Sequence, residues 1–94
     1  MKIYEQGVET LLAACDESLL GQVYTEGEIH LDVKESFYGG DIVKNVSLKE
    51  KMREATIINL VGSDCVDVAI DMGLGSEGDV MEVQGVPHLQ IVRM

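Results

Sequence analysis

The side chains in this sequence best suited to chemistry sit in two short, rigid segments. The only proline, Pro87, precedes one of two histidines in Gly85-Val86-Pro87-His88. Gly and Pro fix an uncommon backbone path, and an imidazole held on it can act as acid, base or ligand near neutral pH. The second segment, Phe37-Tyr38-Gly39-Gly40, joins the only phenylalanine to a tyrosine and a glycine pair. Aromatics at a turn offer flat apolar surface, and glycines let a ligand or another backbone come close. These six residues, Phe37, Tyr38, Gly39, Gly40, Pro87 and His88, are the candidate binding residues. Cys15 followed by Asp16 would supply, with His88, a thiol, a carboxylate and a base, the types that nucleophilic catalysis needs. Cys15 however ends the apolar run Leu11-Leu12-Ala13-Ala14-Cys15, which reads as a core thiol, and no residue is assigned as catalytic.

Other patterns are weaker. Gly73-Leu74-Gly75-Ser76-Glu77-Gly78 spells GxGxxG, but a dinucleotide fingerprint needs a strand before it and a helix after it. Here the expected order is the reverse, and Asp71, Glu77 and Asp79 would repel phosphate. Asp64, Asp67 and Asp71 recur at helical spacing and read as a solvated face rather than a cation site. Cys15 and Cys65 show no CxxC spacing, so they read as reduced, buried thiols, and no metal or cofactor is expected.

These residues need elements to position them. Lys2–Gln6 and Thr10–Cys15 read as strands around a Gly7-Val8-Glu9 turn. Asp16 is placed to cap a short helical turn that ends at Gly21. Gln22–Thr25 reads as extended before a Glu26-Gly27 turn. Strict alternation in Glu28–Val33 buries Ile29, Leu31 and Val33 and turns His30 and Asp32 outward. Ser47-Leu48-Lys49-Glu50 fits a capping box, with Leu48, Met52 and Ala55 at helical spacing and the helix expected to run on through Ile57, Ile58 and Leu60 to Gly62. Lys44, Lys49, Lys51 and Arg53 cluster there, interleaved with Glu50 and Glu54 as helical ion pairs. A second helix starts at Ser63, with Cys65, Val68, Ala69 and Met72 as its apolar stripe, and Gly73 closes it. Val80–Gln84 and Leu89–Arg93 read as strands joined by Gly85-Val86-Pro87-His88. The fold class is α+β: a small single domain over residues 1–94, with a mixed or antiparallel sheet and two main helices.

Composition bounds the function. The chain has 94 residues, 46% of them apolar, and seven Lys+Arg against seventeen Asp+Glu for a net charge of −10. That sign makes direct nucleic-acid binding doubtful; it reads first as general solubility or a salt-rich cytoplasm, and second as recognition of a basic partner. No apolar run approaches a membrane span or a signal core, so a cytoplasmic protein is expected. A homodimer would let so short a chain bury more apolar surface.

Leu11–Gly21, Phe37-Tyr38-Gly39-Gly40, Glu54–Gly62 and Gly85-Val86-Pro87-His88-Leu89-Gln90, taken together, resemble the archaeal domain-of-unknown-function family 424. The resemblance implies a stand-alone cytoplasmic domain with no agreed activity, connected with translation or RNA. It carries over no catalytic residue. The leading expectation is therefore a non-enzymatic interaction module, accessory to translation, with a basic or ribosome-associated protein as partner. The rival is a small-molecule site or enzyme that uses His88 and Tyr38, with Asp16 nearby. The rival requires Tyr38 and His88 to converge, whereas the interaction module leaves them on an open face.

Overall fold

The computed structural model describes residues 1–39 and 45–93, and for Asn45 and Val46 the backbone alone. Five strands make the main sheet in the order β1-β2-β5-β7-β6. Strands β1 (Lys2–Gln6) and β2 (Glu9–Cys15) form an antiparallel hairpin. Its tight turn places Gly7 at φ +61°, backbone that glycine adopts without the Cβ penalty. β5 (Ile57–Val61) lies parallel to β2, with Leu11 opposite Ile57 and Cys15 opposite Val61. β7 (Val86–Val92) runs antiparallel to β5 on its far side, and β6 (Met81–Val83) completes the edge. The long crossover from β2 to β5 carries a separate hairpin, β3 (Val23–Glu26) with β4 (Ile29–Asp32), then helices α1 (Glu35–Tyr38) and α2 (Asn45–Glu54). Helix α3 (Ser63–Asp71) follows β5.

The sheet is packed on both faces, and strand alternation decides which residue goes where. Leu12, Ala14, Ile58, Leu60 and Leu89 point to one face and meet Leu48 and Met52 of α2 with Cys65, Val66 and Ala69 of α3. Ala13, Val61 and Val83 point to the other face, where Leu31, Val33 and Tyr38 of the crossover cover them. Leu12, Ile58, Leu60 and Leu89 are all fully inaccessible. Burying each such side chain is worth roughly 1.5–3 kcal/mol relative to exposure.

The fold class agrees with the sequence reading, α+β with a mixed sheet and two main helices; the small second sheet of β3 and β4 was not expected. The Gly7 hairpin, the burial of Leu31 and Val33 and the apolar side of α3 are also as read. Ile29, expected to be buried with them, is 44% exposed on the β3–β4 hairpin, and Asp16 makes no side-chain cap to its own turn. Further local expectations change. The helix from Ser47 does not run on to Gly62: α2 stops at Glu54, and Ile57–Val61 becomes the central strand. Thr56, Ile57, Ile58 and Val61 are β-branched and pack better on a pleated surface than along a helix. Thr56 also fixes the entry to β5, since its Oγ1 accepts from the Thr10 amide at 2.9 Å and lies 2.7 Å from Glu9 Oε2, to which it donates. Ser47 is not a cap, because α2 already begins at Asn45. Pro87 and His88 do not form the final turn. That turn contracts to Gln84-Gly85, both at positive φ, and β7 starts at Val86.

Helical ion pairing survives as one exposed pair among the described residues, Lys51 with Glu54 at 3.8 Å. The last carbonyls of α2 are met from elsewhere: Arg93 Nη1 donates to those of Met52 and Arg53. No helix among the described residues is long and apolar enough to cross a membrane.

Candidate binding site on the inner sheet face

Asn59 is the centre of the site. It lies in the middle of β5, paired with Ala13 on one side and Gln90 on the other. Its neighbours Ile58 and Leu60 face the α2–α3 layer, so alternation turns Asn59 to the face shared with Val61 and Tyr38. A carboxamide half-buried on a sheet needs partners, and two arrive from different elements. Tyr38 Oη donates to Asn59 Oδ1 at 2.7 Å, and His88 Nε2 lies 3.0 Å from the same oxygen. Because Oδ1 can only accept, His88 must carry its proton on Nε2 and leave Nδ1 as a lone pair. Two donors on Oδ1 likewise leave the Asn59 amide group as a donor.

Burial sets the protonation states. It lowers the pKa of His88, keeping the imidazole neutral. It raises that of Tyr38 to about 12, with neighbouring Cys15 adding to the shift, so the phenol keeps its proton. The cluster is therefore uncharged at neutral pH, and the bonds to Oδ1 use neither Nδ1 of His88, an acceptor, nor Nδ2 of Asn59, a donor. Both residues are half-buried.

Local sequence explains how Tyr38 gets there. Helix α1 is one turn long and is tied to β1: Lys2 Nζ donates to the Ser36 carbonyl at 2.8 Å, and Tyr4 Oη donates to the Phe37 carbonyl at 3.0 Å. The Phe37 ring stacks on Tyr4 with centroids 5.4 Å apart and meets Tyr38 edge-on at 4.9 Å. Gly39 ends the turn at a negative φ, and a Cβ there would collide with the Glu35 carbonyl. Its glycine is needed for close approach rather than for left-handed backbone.

The six candidate residues are thus only partly brought together. Tyr38 and His88 converge on Asn59. Phe37 and Gly39 brace Tyr38 from behind, and Gly40 lies outside the described residues. Pro87 alternates with His88 along β7 and faces the α3 side of the sheet. Asn59 was missed by sequence reasoning, although a lone polar residue in the run Ile57-Ile58-Asn59-Leu60-Val61 is itself a signal that something must satisfy it.

The thiol, carboxylate and base do not assemble. The Asp16 carboxylate is engaged at the start of α3, accepting from the amides of Asp64 at 3.1 Å and Cys65 at 3.0 Å. Burial raises the Cys15 thiol pKa, outweighing the N-terminal ammonium that lowers it. Cys65 is pushed up to about 12, by burial first and then by Asp16 beside it. Neither is a thiolate at neutral pH. His30 is exposed and lies 3.4 Å from Thr25 Oγ1. Gly73–Gly78 follows a helix and precedes a strand, the reverse of a dinucleotide fingerprint. Among the described residues no three His, Cys, Asp or Glu side chains are grouped to hold a metal ion.

Fold and site together define a small α+β domain with a neutral hydrogen-bonding cluster on one face of a mixed sheet. The chain belongs to the family described as "Protein of unknown function (DUF424)", whose model matches residues 4–94. Among solved structures it is similar to an uncharacterized conserved protein from Methanopyrus kandleri. The two are 33% identical with a TM-score of 0.82, over 99% of this chain and 90% of that one. No match is found among curated proteins.

Proposed function

We propose that this protein is a binding module whose site is the Tyr38–Asn59–His88 cluster, and that it takes a small uncharged molecule carrying a donor beside an acceptor, as an amide does. The observation that carries this reading is the convergence of Tyr38 and His88 on Asn59 Oδ1. It fixes the His88 tautomer and leaves a defined acceptor and donor for a ligand. The raised thiol pKa values favour binding over cysteine chemistry.

A second reading, the protein-interaction module connected with translation, draws support from the same face. Met81 pairs with His88 in register, Val92 follows two positions after Gln90, and they are 49% and 69% exposed. Apolar surface around a polar centre suits a macromolecular partner as well.

Nuclear magnetic resonance with acetamide, uracil and nicotinamide as probes separates the two. The small-molecule reading expects shifts at the Asn59 side-chain amide and the His88 ring, lost in His88→Ala and Asn59→Ala. Absence of such shifts with all three probes would sink it.

A further inference from the structure

A second surface lies across the sheet from Asn59. A groove of about 330 Å³ runs between α3 and the β6–β7 edge. Its floor is apolar: Val66 and Ile70 from α3, with Val80 and Pro87 from the strand side. Pro87, which the Asn59 cluster does not use, is part of this floor. Around it stand Asp67, Glu77 and Glu82, contributed by α3, the 3-10 turn at Glu77–Asp79 and β6. All three carboxylates are on exposed residues, and among the described residues none pairs with a Lys or Arg.

The surrounding field has the same sign. Between Arg53 and Arg93 the sequence contains no Lys or Arg, while Glu54, Asp64, Asp67, Asp71, Glu77, Asp79 and Glu82 all fall there. A groove with an apolar floor inside so unbalanced a field repels phosphate and anionic lipid and attracts cations. Its volume is near the lower end of the roughly 300–1,000 Å³ typical of small-molecule pockets, room for one or two side chains. The carboxylates come from three separate elements, and among the described residues no three acidic, His or Cys side chains are grouped to hold a metal ion, so cations spaced along a chain match them better than one gathered at a point.

We propose that this groove docks a basic amphipathic polypeptide segment. An apolar side chain of that segment seats on Val66, Ile70, Val80 and Pro87, and flanking Lys or Arg residues meet Asp67, Glu77 and Glu82. This surface is separate from the Asn59 cluster, and each can fail without the other.

The test is a resonance titration of the full chain with short synthetic peptides. One peptide combines leucine and lysine in a helical amphipathic pattern, a second replaces its leucines with serine, and a third replaces its lysines with glutamate. The leucine–lysine peptide is expected to shift the amides of Val66, Ile70 and Glu82. Its affinity is expected to fall about tenfold or more in the Asp67→Asn/Glu77→Gln/Glu82→Gln variant, whose neutral isosteres remove charge with little change in shape. The serine–lysine peptide is expected to bind about tenfold more weakly, and the leucine–glutamate peptide to leave the groove unshifted. His88→Ala should leave leucine–lysine binding unchanged. Equal binding of the serine–lysine peptide, shifts spread evenly over the acidic surface, an unaffected triple variant, absence of any shift at the groove, or loss in His88→Ala would each overturn the proposal.

Discussion

Asp16 Oδ1 lies 3.0 Å from the backbone nitrogen of Cys65 and accepts its hydrogen bond across 49 positions of sequence. The same carboxylate takes the Asp64 amide, so a residue just past β2 satisfies the free amides at the start of α3. This remote cap joins the ends of two parallel strands to the helix that follows. Gly62 makes room for it: at φ +107°, a Cβ there would run into the Asp16 carboxylate.

Removing the cap tests its contribution. Asp16→Ala should lower unfolding free energy by about 0.5–2 kcal/mol, the usual cost of losing an N-cap side chain. Gly62→Ala combines a collision with unfavourable backbone and should cost at least as much, about 1–3 kcal/mol. Urea unfolding of both variants is the measurement; a wild-type midpoint for Asp16→Ala would remove the cap from the account.

Both thiols should resist modification in the native state. With Cys65 pushed up to about 12 and Cys15 also raised, reaction with a disulfide reagent at neutral pH should be slow and should accelerate on adding denaturant. Rapid labelling of the native chain would contradict the burial of Cys65.

His88 predicts an acid-side loss of stability. Its folded-state pKa lies below the ordinary value of 6.5, so the unfolded chain takes up the proton first. The contribution is therefore present above 6.5 and is lost as pH falls below it towards the folded value. Unfolding measured across this window should show a decline that is shallower in His88→Gln. Nitrogen-detected resonances should place the proton on Nε2.

Tyr38 acts at the opposite end of the scale. Its phenol is held protonated to about 12 against an ordinary 10.0, so stability should fall as pH rises from 10.0 towards 12. Tyr38→Phe should remove the share of this alkaline loss that begins near 10.0 and leave the share of Cys65, whose thiol is raised from 9.0 to about 12. At neutral pH the variant should cost about 0.5–1.5 kcal/mol, the net worth of one hydrogen bond. An unchanged ultraviolet titration near 12 in the variant would assign that transition to another group.

Local patterns were readable in the sequence, and long-range ones were not. The Gly7 hairpin, the alternation that buries Leu31 and Val33, and the apolar stripe of α3 each depend on residues a few positions apart. The run Ile57–Val61 carries too little periodicity to separate a buried strand from the tail of a helix; its β-branching, given no weight in that reading, is the cue that favours the strand. Placing Ile57–Val61 in a helix also hid Asn59, the residue on which Tyr38 and His88 meet. Pro87 and His88 were read as one corner because they adjoin; a strand sends neighbours to opposite faces. No local signal could have shown that the Asp16 carboxylate caps α3 and makes no cap bond to its own turn, since its bonds cross the whole β2-to-β5 crossover.

The parallel pairing of β2 with β5 has a consequence for the order of assembly. The β1–β2 hairpin closes over a two-residue turn and can form as soon as it is made. Its inner strand then presents Leu11, Leu12, Ala13, Ala14 and Cys15 as an unpaired, uncharged edge until the crossover is complete and Ile57–Val61 arrives. For that interval the nascent chain carries this apolar edge uncovered, and the same segment ends up between β1 and the central strand of the finished sheet.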